Sequence, residues 1–315
     1  MFATAGSDVP IIWIVIGALL VIRLAIGLGR RNRRHSESAP IHALAPALNA
    51  TQPVPAPTAS DRTTLLEVHD LSVAYGSKVA VDGVSFEIRR SEIFGLLGPN
   101  GAGKTTTLSA IEGLRRPRAG AVLLNGVDIV RQPALAKAQM GVQLQSTGFQ
   151  SELTIRQVAR LYAGLYGVAM GDQDLDQALT DIGLGRELDR TTKQISGGQQ
   201  QRLSLFVALI HHPTLLLLDE PTTGLDPQSR RHFWARIEQI RADGGSILLA
   251  THSMEEAQAV CDRVAIIDHG RVLAIDTPRN LIDQHRDDPL VRAAARGAVT
   301  LEDVFIGLTG SDIRD

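Results

Sequence analysis

Gly98-Pro99-Asn100-Gly101-Ala102-Gly103-Lys104-Thr105 sets four residues between Gly98 and Gly103, then Lys and Thr. That is the pattern of a phosphate-binding loop. Glycines let successive backbone N–H groups turn inward around a polyphosphate. A helix starting here adds the partial positive charge of its N-terminus. In such a loop Lys104 reaches the β- and γ-phosphates and the Thr105 hydroxyl holds Mg²⁺. The competing reading is a glycine-rich turn with a solvated lysine. The flanks argue against it. Ile93-Phe94-Gly95-Leu96-Leu97 reads as a buried strand, and Thr105-Thr106-Thr107-Leu108-Ser109-Ala110-Ile111 as a helix closed by Gly113.

Further stretches could act on the same phosphates. Leu215 to Leu218 is an all-leucine run after Pro213, as in a parallel strand buried on both faces. It ends on Asp219 and Glu220, at the strand edge where α/β sheets bind ligands. Asp219 can ligate magnesium or accept a bond from its bound water, and Glu220 can polarise a water for attack on the γ-phosphate. The plainer role for Asp219 is to cap the next turn. Ser246 to Ala250 reads as another buried strand delivering Thr251 and His252. His252 can donate to a γ-phosphate oxygen, or be an ordinary surface histidine. Ser196-Gly197-Gly198-Gln199 heads a helix running through Leu203, Phe206, Val207 and Ile210. Ser196 can cap that helix with Gln199 returning the bond, and the end is a second anion site. Capping alone would not require Gly197 and Gly198 together.

These groups need elements to position them. Leu66 to Tyr75 alternates as a strand, and Val81 to Ile88 is a second, joined by a turn at Gly76-Ser77. Tyr75, at the strand end, is a candidate ligand contact or simple packing. Residues 140–210 read as a helical insertion, with Thr154 and Gln157 forming a capping box and a further helix from Leu175 to Ile182. Asp226 caps a helix with Pro227 at its first position, and that helix ends at Gly244-Gly245. Ser253 with Glu256 caps the next helix, and a last hairpin turns at His269-Gly270.

The 315 residues, 44% hydrophobic, suffice for one large domain or two small ones. A net charge of −2 gives no sign of a nucleic-acid surface. The single cysteine, Cys261, excludes an internal disulfide and suits a reducing compartment. Ile11 to Gly29 is apolar apart from Arg23, about the length of one membrane span, and Arg30, Arg31, Arg33 and Arg34 follow. Positive charge on that side puts the remainder in the cytoplasm. Residues 1–35 are therefore expected to be an N-terminal membrane anchor, the alternative being a translated leader. Residues 36–64 read as a flexible Ala- and Pro-rich linker, 65–297 as the globular body, and 298–315 as a helical tail.

Taken together, the chain resembles the nucleotide-binding subunit of an ATP-binding cassette (ABC) transporter, over about residues 65–310. The resemblance implies a P-loop NTPase of α/β class. Its parts are a mixed-sheet core, an N-terminal antiparallel β subdomain and a helical insertion subdomain. It implies that Tyr75 stacks on adenine, that Gly98 to Thr105 is the Walker A loop with Thr106 beside it, and that Gln145 contacts Mg²⁺ and the attacking water. It makes Ser196 to Gln199 the signature sequence, opened by Ile195 where leucine is usual. Asp219 and Glu220 become Walker B and the catalytic glutamate, Asp226 part of the D-loop, and His252 the switch histidine. Implied cofactors are ATP and Mg²⁺.

Implied partners are a polytopic membrane permease and a second cassette, identical or a paralogue, at the cytoplasmic face of the membrane. In the family each ATP lies between one copy's Walker A loop and the other's signature. Gly141-Val142-Gln143-Leu144-Gln145 and the tail from Leu301 to Gly310 further resemble bacterial exporters of the daunorubicin-resistance type, which implies export of a drug-like or lipid-like compound. A regulatory or repair ABC ATPase is the alternative, and the signature helix separates both from kinases that share the loop.

Overall fold

The computed structural model describes residues 64–143 and 149–310 of the chain. The expected anchor, residues 36–63 of the linker and Gln145 lie outside the described residues. Two sheets organise the rest. The first is antiparallel, in the order β2-β1-β4-β5, from β1 (Thr64–Tyr75), β2 (Lys78–Arg89), β4 (Ala119–Leu124) and β5 (Val127–Asp128). Tyr75 pairs with Lys78 across Gly76-Ser77, so the expected hairpin forms. The second sheet runs β10-β9-β3-β8-β7-β6, from β3 (Ile93–Leu97), β6 (Met140–Val142), β7 (Leu215–Asp219), β8 (Ser246–Thr251), β9 (Arg263–Asp268) and β10 (Arg271–Asp276). All its neighbours are parallel except β9 and β10, the hairpin at its edge.

Parallel strands covered on both faces need apolar side chains on both, and β7 shows why a leucine run suits. Leu215 and Leu217 enter the core shared with the antiparallel sheet, while Leu216 and Leu218 enter the core beneath the helices. Burying each leucine contributes about 1.5–3 kcal/mol. The register aligns strand ends as well. Leu97 pairs with Thr251 and Asp219 with Ala250, so β3, β8 and β7 finish along one edge.

Ten helices complete the described residues: α1 (Lys104–Ile111), α2 (Pro133–Lys137), α3 (Ile155–Leu165), α4 (Asp172–Asp181), α5 (Gly197–Leu209), α6 (Pro227–Ala242), α7 (Met254–Val260), α8 (Pro278–His285), α9 (Pro289–Ala294) and α10 (Leu301–Thr309). Helices α3, α4 and the outer face of α5 close their own apolar cluster, the helical subdomain. That subdomain does not begin at Met140. Residues Met140–Val142 form β6, paired with Leu215–Leu217, so the strand belongs to the core sheet. Three residues are too few for a period to show. The ring of Tyr166 stacks on His211 at 3.8 Å, and His211 Nε2 lies 2.9 Å from the Met140 carbonyl, linking subdomain to sheet.

Helix α10 begins with a reciprocal cap. The Thr300 hydroxyl accepts from the Asp303 N–H, and the Asp303 carboxylate takes the Thr300 N–H. Leu301, Val304 and Phe305 are fully buried in the cluster beneath the core sheet. Cys261 is buried there too, and burial pushes its thiol pKa well above the ordinary value.

Candidate active site

The loop from Gly98 to Gly103 turns because only glycine fits its tightest points. A Cβ on Gly98 would lie 2.2 Å from the Ile267 carbonyl oxygen. Gly103 sits at φ 110 as the N-cap of α1, a conformation disfavoured for side-chain-bearing residues. The turn is held by Ala102 N–H donating to Pro99, and by Gly270 N–H donating to the Ala102 carbonyl. No side chain caps α1 and no acidic residue sits in its first turn, so its N-terminus is left for an anion.

Lys104 is buried and folds back on this loop. Its Nζ donates to the Gly98 carbonyl at 2.8 Å and the Pro99 carbonyl at 3.2 Å. It also lies 3.5 Å from Glu220 Oε1. Burial pulls its pKa below the ordinary lysine value, against the opposing pull of Glu220 and Asp219. Thr105 is exposed and donates its hydroxyl to Asp219 Oδ2 at 3.0 Å. The other oxygen, Asp219 Oδ1, is buried without a hydrogen-bond partner among the described residues. Burial raises the Asp219 pKa, and the Thr105 hydrogen bond opposes it. A carboxylate penalised in this way, beside a hydroxyl, suits a hard divalent cation. Thr105 and Asp219 are the groups that would meet such an ion; among the described residues no group of three or more His, Cys, Asp or Glu could hold a metal.

Glu220 follows the end of β7 with φ 49, a left-handed conformation that costs a non-glycine residue about 1–2 kcal/mol. Its N–H donates to the Ala250 carbonyl at 2.9 Å. His252 Nδ1 lies 2.9 Å from Glu220 Oε2, and the Thr251 hydroxyl donates to the same oxygen at 3.4 Å. Lys104, Thr105, Asp219, Glu220 and His252 thus converge at one sheet edge, linked to one another by these contacts.

The other sequence-assigned residues make contacts of their own. Tyr75 is half-exposed, and the Arg115 guanidinium covers its ring at 4.4 Å. Ser196 accepts the Gln199 N–H at 3.3 Å and its own N–H goes to Gln199 Oε1 at 2.8 Å, the reciprocal cap expected. Ser196 and Gly197 are exposed. Gly198 comes close enough to α6 that a Cβ would meet Ser229 Oγ at 3.0 Å. Asp226 accepts from the Gln228 and Ser229 N–H groups at 3.0 Å; the Ser229 hydroxyl, and then these N–H groups, hold its pKa below the ordinary value. Among the described residues no hydrogen bond joins Ser196–Gln199 to the Gly98–Thr105 loop.

One expected cap is only half made. Ser253 accepts the Glu256 N–H, but the Glu256 carboxylate does not return the bond. Sequence alone assigns no role to Arg115 or Gln201. The Gln201 amide donates to the Pro221 carbonyl, tying α5 to the loop after Glu220. An arginine in a basic run and a glutamine inside a helix carry no spacing signal, so only tertiary placement picks them out.

The family model described as "ABC transporter" matches residues 81–223. The linearmycin resistance ATP-binding protein LnrL of Bacillus subtilis (strain 168) is 35% identical over 235 residues, covering 74% of this chain and 76% of the relative. The Nod factor export ATP-binding protein I of Paraburkholderia xenovorans (strain LB400) is 40% identical over 219 residues, 69% of this chain and 72% of that protein. A solved ATP-binding subunit of an ABC transporter superposes with a TM-score of 0.69 at 32% identity, covering 78% of this chain and all of its own. Sequence and fold agree, and the chain belongs to the ABC transporter family as an ATP-binding cassette ATPase.

Proposed function

We propose that this chain hydrolyses ATP to drive a separate polytopic membrane permease, from the cytoplasmic face, in the export of a drug-like or lipid-like compound. The observation that carries the hydrolytic part is the convergence of Lys104, Thr105, Asp219, Glu220 and His252 at one sheet edge. The export part is supported by relatives named for linearmycin resistance and Nod factor export. Among the described residues no helix is long and apolar enough to cross a membrane.

Lys104 leaves the Gly98 and Pro99 carbonyls to bind the β- and γ-phosphates, while the loop N–H groups and the α1 N-terminus take the remaining oxygens. Tyr75 stacks on the adenine. Thr105 and Asp219 hold Mg²⁺, and Gln145, outside the described residues, is assigned to the same ion. When bound, Mg²⁺ neutralises charge on the phosphate oxygens. Glu220 orients a water against the γ-phosphorus, and the bond to the leaving ADP oxygen breaks to give ADP and phosphate. His252 donates to a γ-phosphate oxygen. Ser196 to Gln199 and Asp226, facing solvent here, meet the nucleotide of a second cassette.

The deciding experiment uses the full chain carrying Glu220→Gln, which should bind ATP yet hydrolyse it about 10²–10⁴-fold more slowly. The variant is recovered with Mg-ATP in mild detergent and its companions are identified by mass spectrometry. An equal amount of a polytopic membrane protein supports the reading. Recovery of the cassette alone, or with soluble partners, overturns export in favour of a regulatory ATPase.

A further inference from the structure

The loop from Glu220 to Asp226 is held at its far side by one buried cluster. Thr222, 6% exposed, donates its hydroxyl to Glu256 Oε2 at 2.6 Å. Arg230 Nε lies 3.1 Å from the other oxygen, Oε1. Glu256 is itself 8% exposed, so both oxygens of a buried carboxylate are spoken for. Such a group persists in an interior only when so paired, and the 2.6 Å separation is that of a charge-assisted bond. The three side chains come from the loop, the first turns of α6 and those of α7.

Helix α7 begins two residues after His252. Its cap, Ser253, takes the Glu256 N–H and gives its own N–H to Thr251 Oγ1 at 3.0 Å. The Thr251 hydroxyl in turn reaches Glu220. The contacts close a ring: Glu220 through Pro221 to Thr222, across to Glu256, back through Ser253 and Thr251 to Glu220. Glu220 stands in the left-handed region at φ 49. A strained backbone of this kind persists only where its surroundings over-determine it. Thr222 is the nearest side chain in the loop to do so by a buried bond.

We propose that Glu256 is a positioning residue for hydrolysis. It ties the loop bearing Glu220 and Asp226 to the segment bearing His252, and so fixes the carboxylate against the water it must orient. It touches no reacting atom. The inference rests on the assignment of Glu220 and His252 to the hydrolytic step.

The test measures kcat, KM and the affinity for a fluorescent ATP analogue in the full chain. Variants are Glu256→Ala, Glu256→Gln, Thr222→Val, and Thr222→Val with Glu256→Ala. A misplacement of ~1 Å can cost ~10²-fold, so Glu256→Ala and Thr222→Val should each lower kcat by at least about tenfold. Affinity for the analogue should change by less than about twofold, the split expected of an effect confined to the chemical step. The double variant should be no slower than Glu256→Ala, because both remove one contact. Glu256→Gln keeps a side-chain oxygen for Thr222 and should recover most of the turnover. Thr222→Val preserves side-chain volume and decides the matter if Glu256→Ala fails to fold.

Turnover unchanged in Thr222→Val, affinity falling in step with kcat, or losses that multiply in the double variant would each overturn the proposal. Glu220→Gln is measured alongside. If it retains turnover, the hydrolytic assignment and this inference fall together. If it loses turnover while Thr222→Val and Glu256→Ala do not, the inference alone falls.

Discussion

Lys104 donates to two carbonyls of its own loop, and in the function proposed above ATP binding would exchange those bonds for stronger ones to phosphate. A hydrogen bond to a charged group contributes about 1.5–3 kcal/mol. Lys104→Ala should therefore weaken nucleotide affinity by roughly 10- to 100-fold in equilibrium binding. Unchanged affinity would remove the loop from its assigned role. A second residue-scale consequence concerns Glu112, at the end of α1. Burial, aided by the charge of Asp219, pushes its carboxyl up from 4.5 to about 7, against a weaker pull from Lys137. Its position at a helix C-terminus is also the wrong end for a negative charge. Between those two pH values the folded chain keeps a proton that the unfolded chain has released. Stability contributed by this group is therefore present at low pH and lost as pH rises through about 7. Glu112→Gln removes that titration. Its melting temperature relative to the unsubstituted chain should climb as pH goes from about 5 to 8, and parallel curves would show that the carboxyl carries no such penalty.

Elements differ in how far they are legible before folding. Strands β3, β7 and β8 are short apolar runs ending on chemistry-bearing residues, and the caps at Thr154, Ser196, Asp226 and Thr300 are local hydrogen-bond patterns. Local patterns survive in sequence, so the Gly98–Thr105 loop, Asp219, Glu220 and His252 could be brought to one sheet edge as the residues that end apolar strands. Strand β6 could not. Met140-Gly141-Val142 becomes a strand because it pairs with β7, and nothing local says so. Residues 114–139 carried no expectation, although Asn125-Gly126, at φ 50 and 74 between β4 and β5, is a strong hairpin turn. The Glu256 cap misled because two tertiary partners, Thr222 and Arg230, outcompete the local N–H.

Close approach of β6 and α5 makes a prediction at this scale. A Cβ on Gly141 would fall 2.2 Å from the Ala208 carbonyl oxygen and 2.8 Å from the Pro213 ring. Neither atom belongs to a flexible chain end, so backbone must move. Gly141→Ala should cost at least the ~1–3 kcal/mol of an overpacked core, a fall of several degrees in melting temperature. A melting temperature within about one degree of the unsubstituted chain would mean that strand and helix separate freely.

At the scale of the molecule, the Gly98–Thr105 loop and the Ser196–Gln199 helix start have no hydrogen bond between them among the described residues. If each ATP is held by the loop of one copy and the helix start of another, a defect in one can be complemented by a defect in the other. Gly197→Asp is the useful partner for Lys104→Ala. Gly197 is exposed, a Cβ there meets nothing within 4 Å, and an acid in the first turn suits the helix. The variant should fold, yet set a negative charge against the γ-phosphate of the facing copy. At an ATP concentration well below the weakened affinity of Lys104→Ala, each variant alone should be nearly inactive, because both sites of a symmetric dimer are broken. In an equal mixture about half the dimers pair one variant with the other, and each such dimer rebuilds one intact site out of two. Turnover should then return to about a quarter of the unsubstituted rate per chain if the two sites act independently. The rate should rise with the square of total chain at low concentration. A mixture as inactive as its components would mean that the chain does not complete its sites with a second copy of itself, and the facing cassette would have to be a different polypeptide.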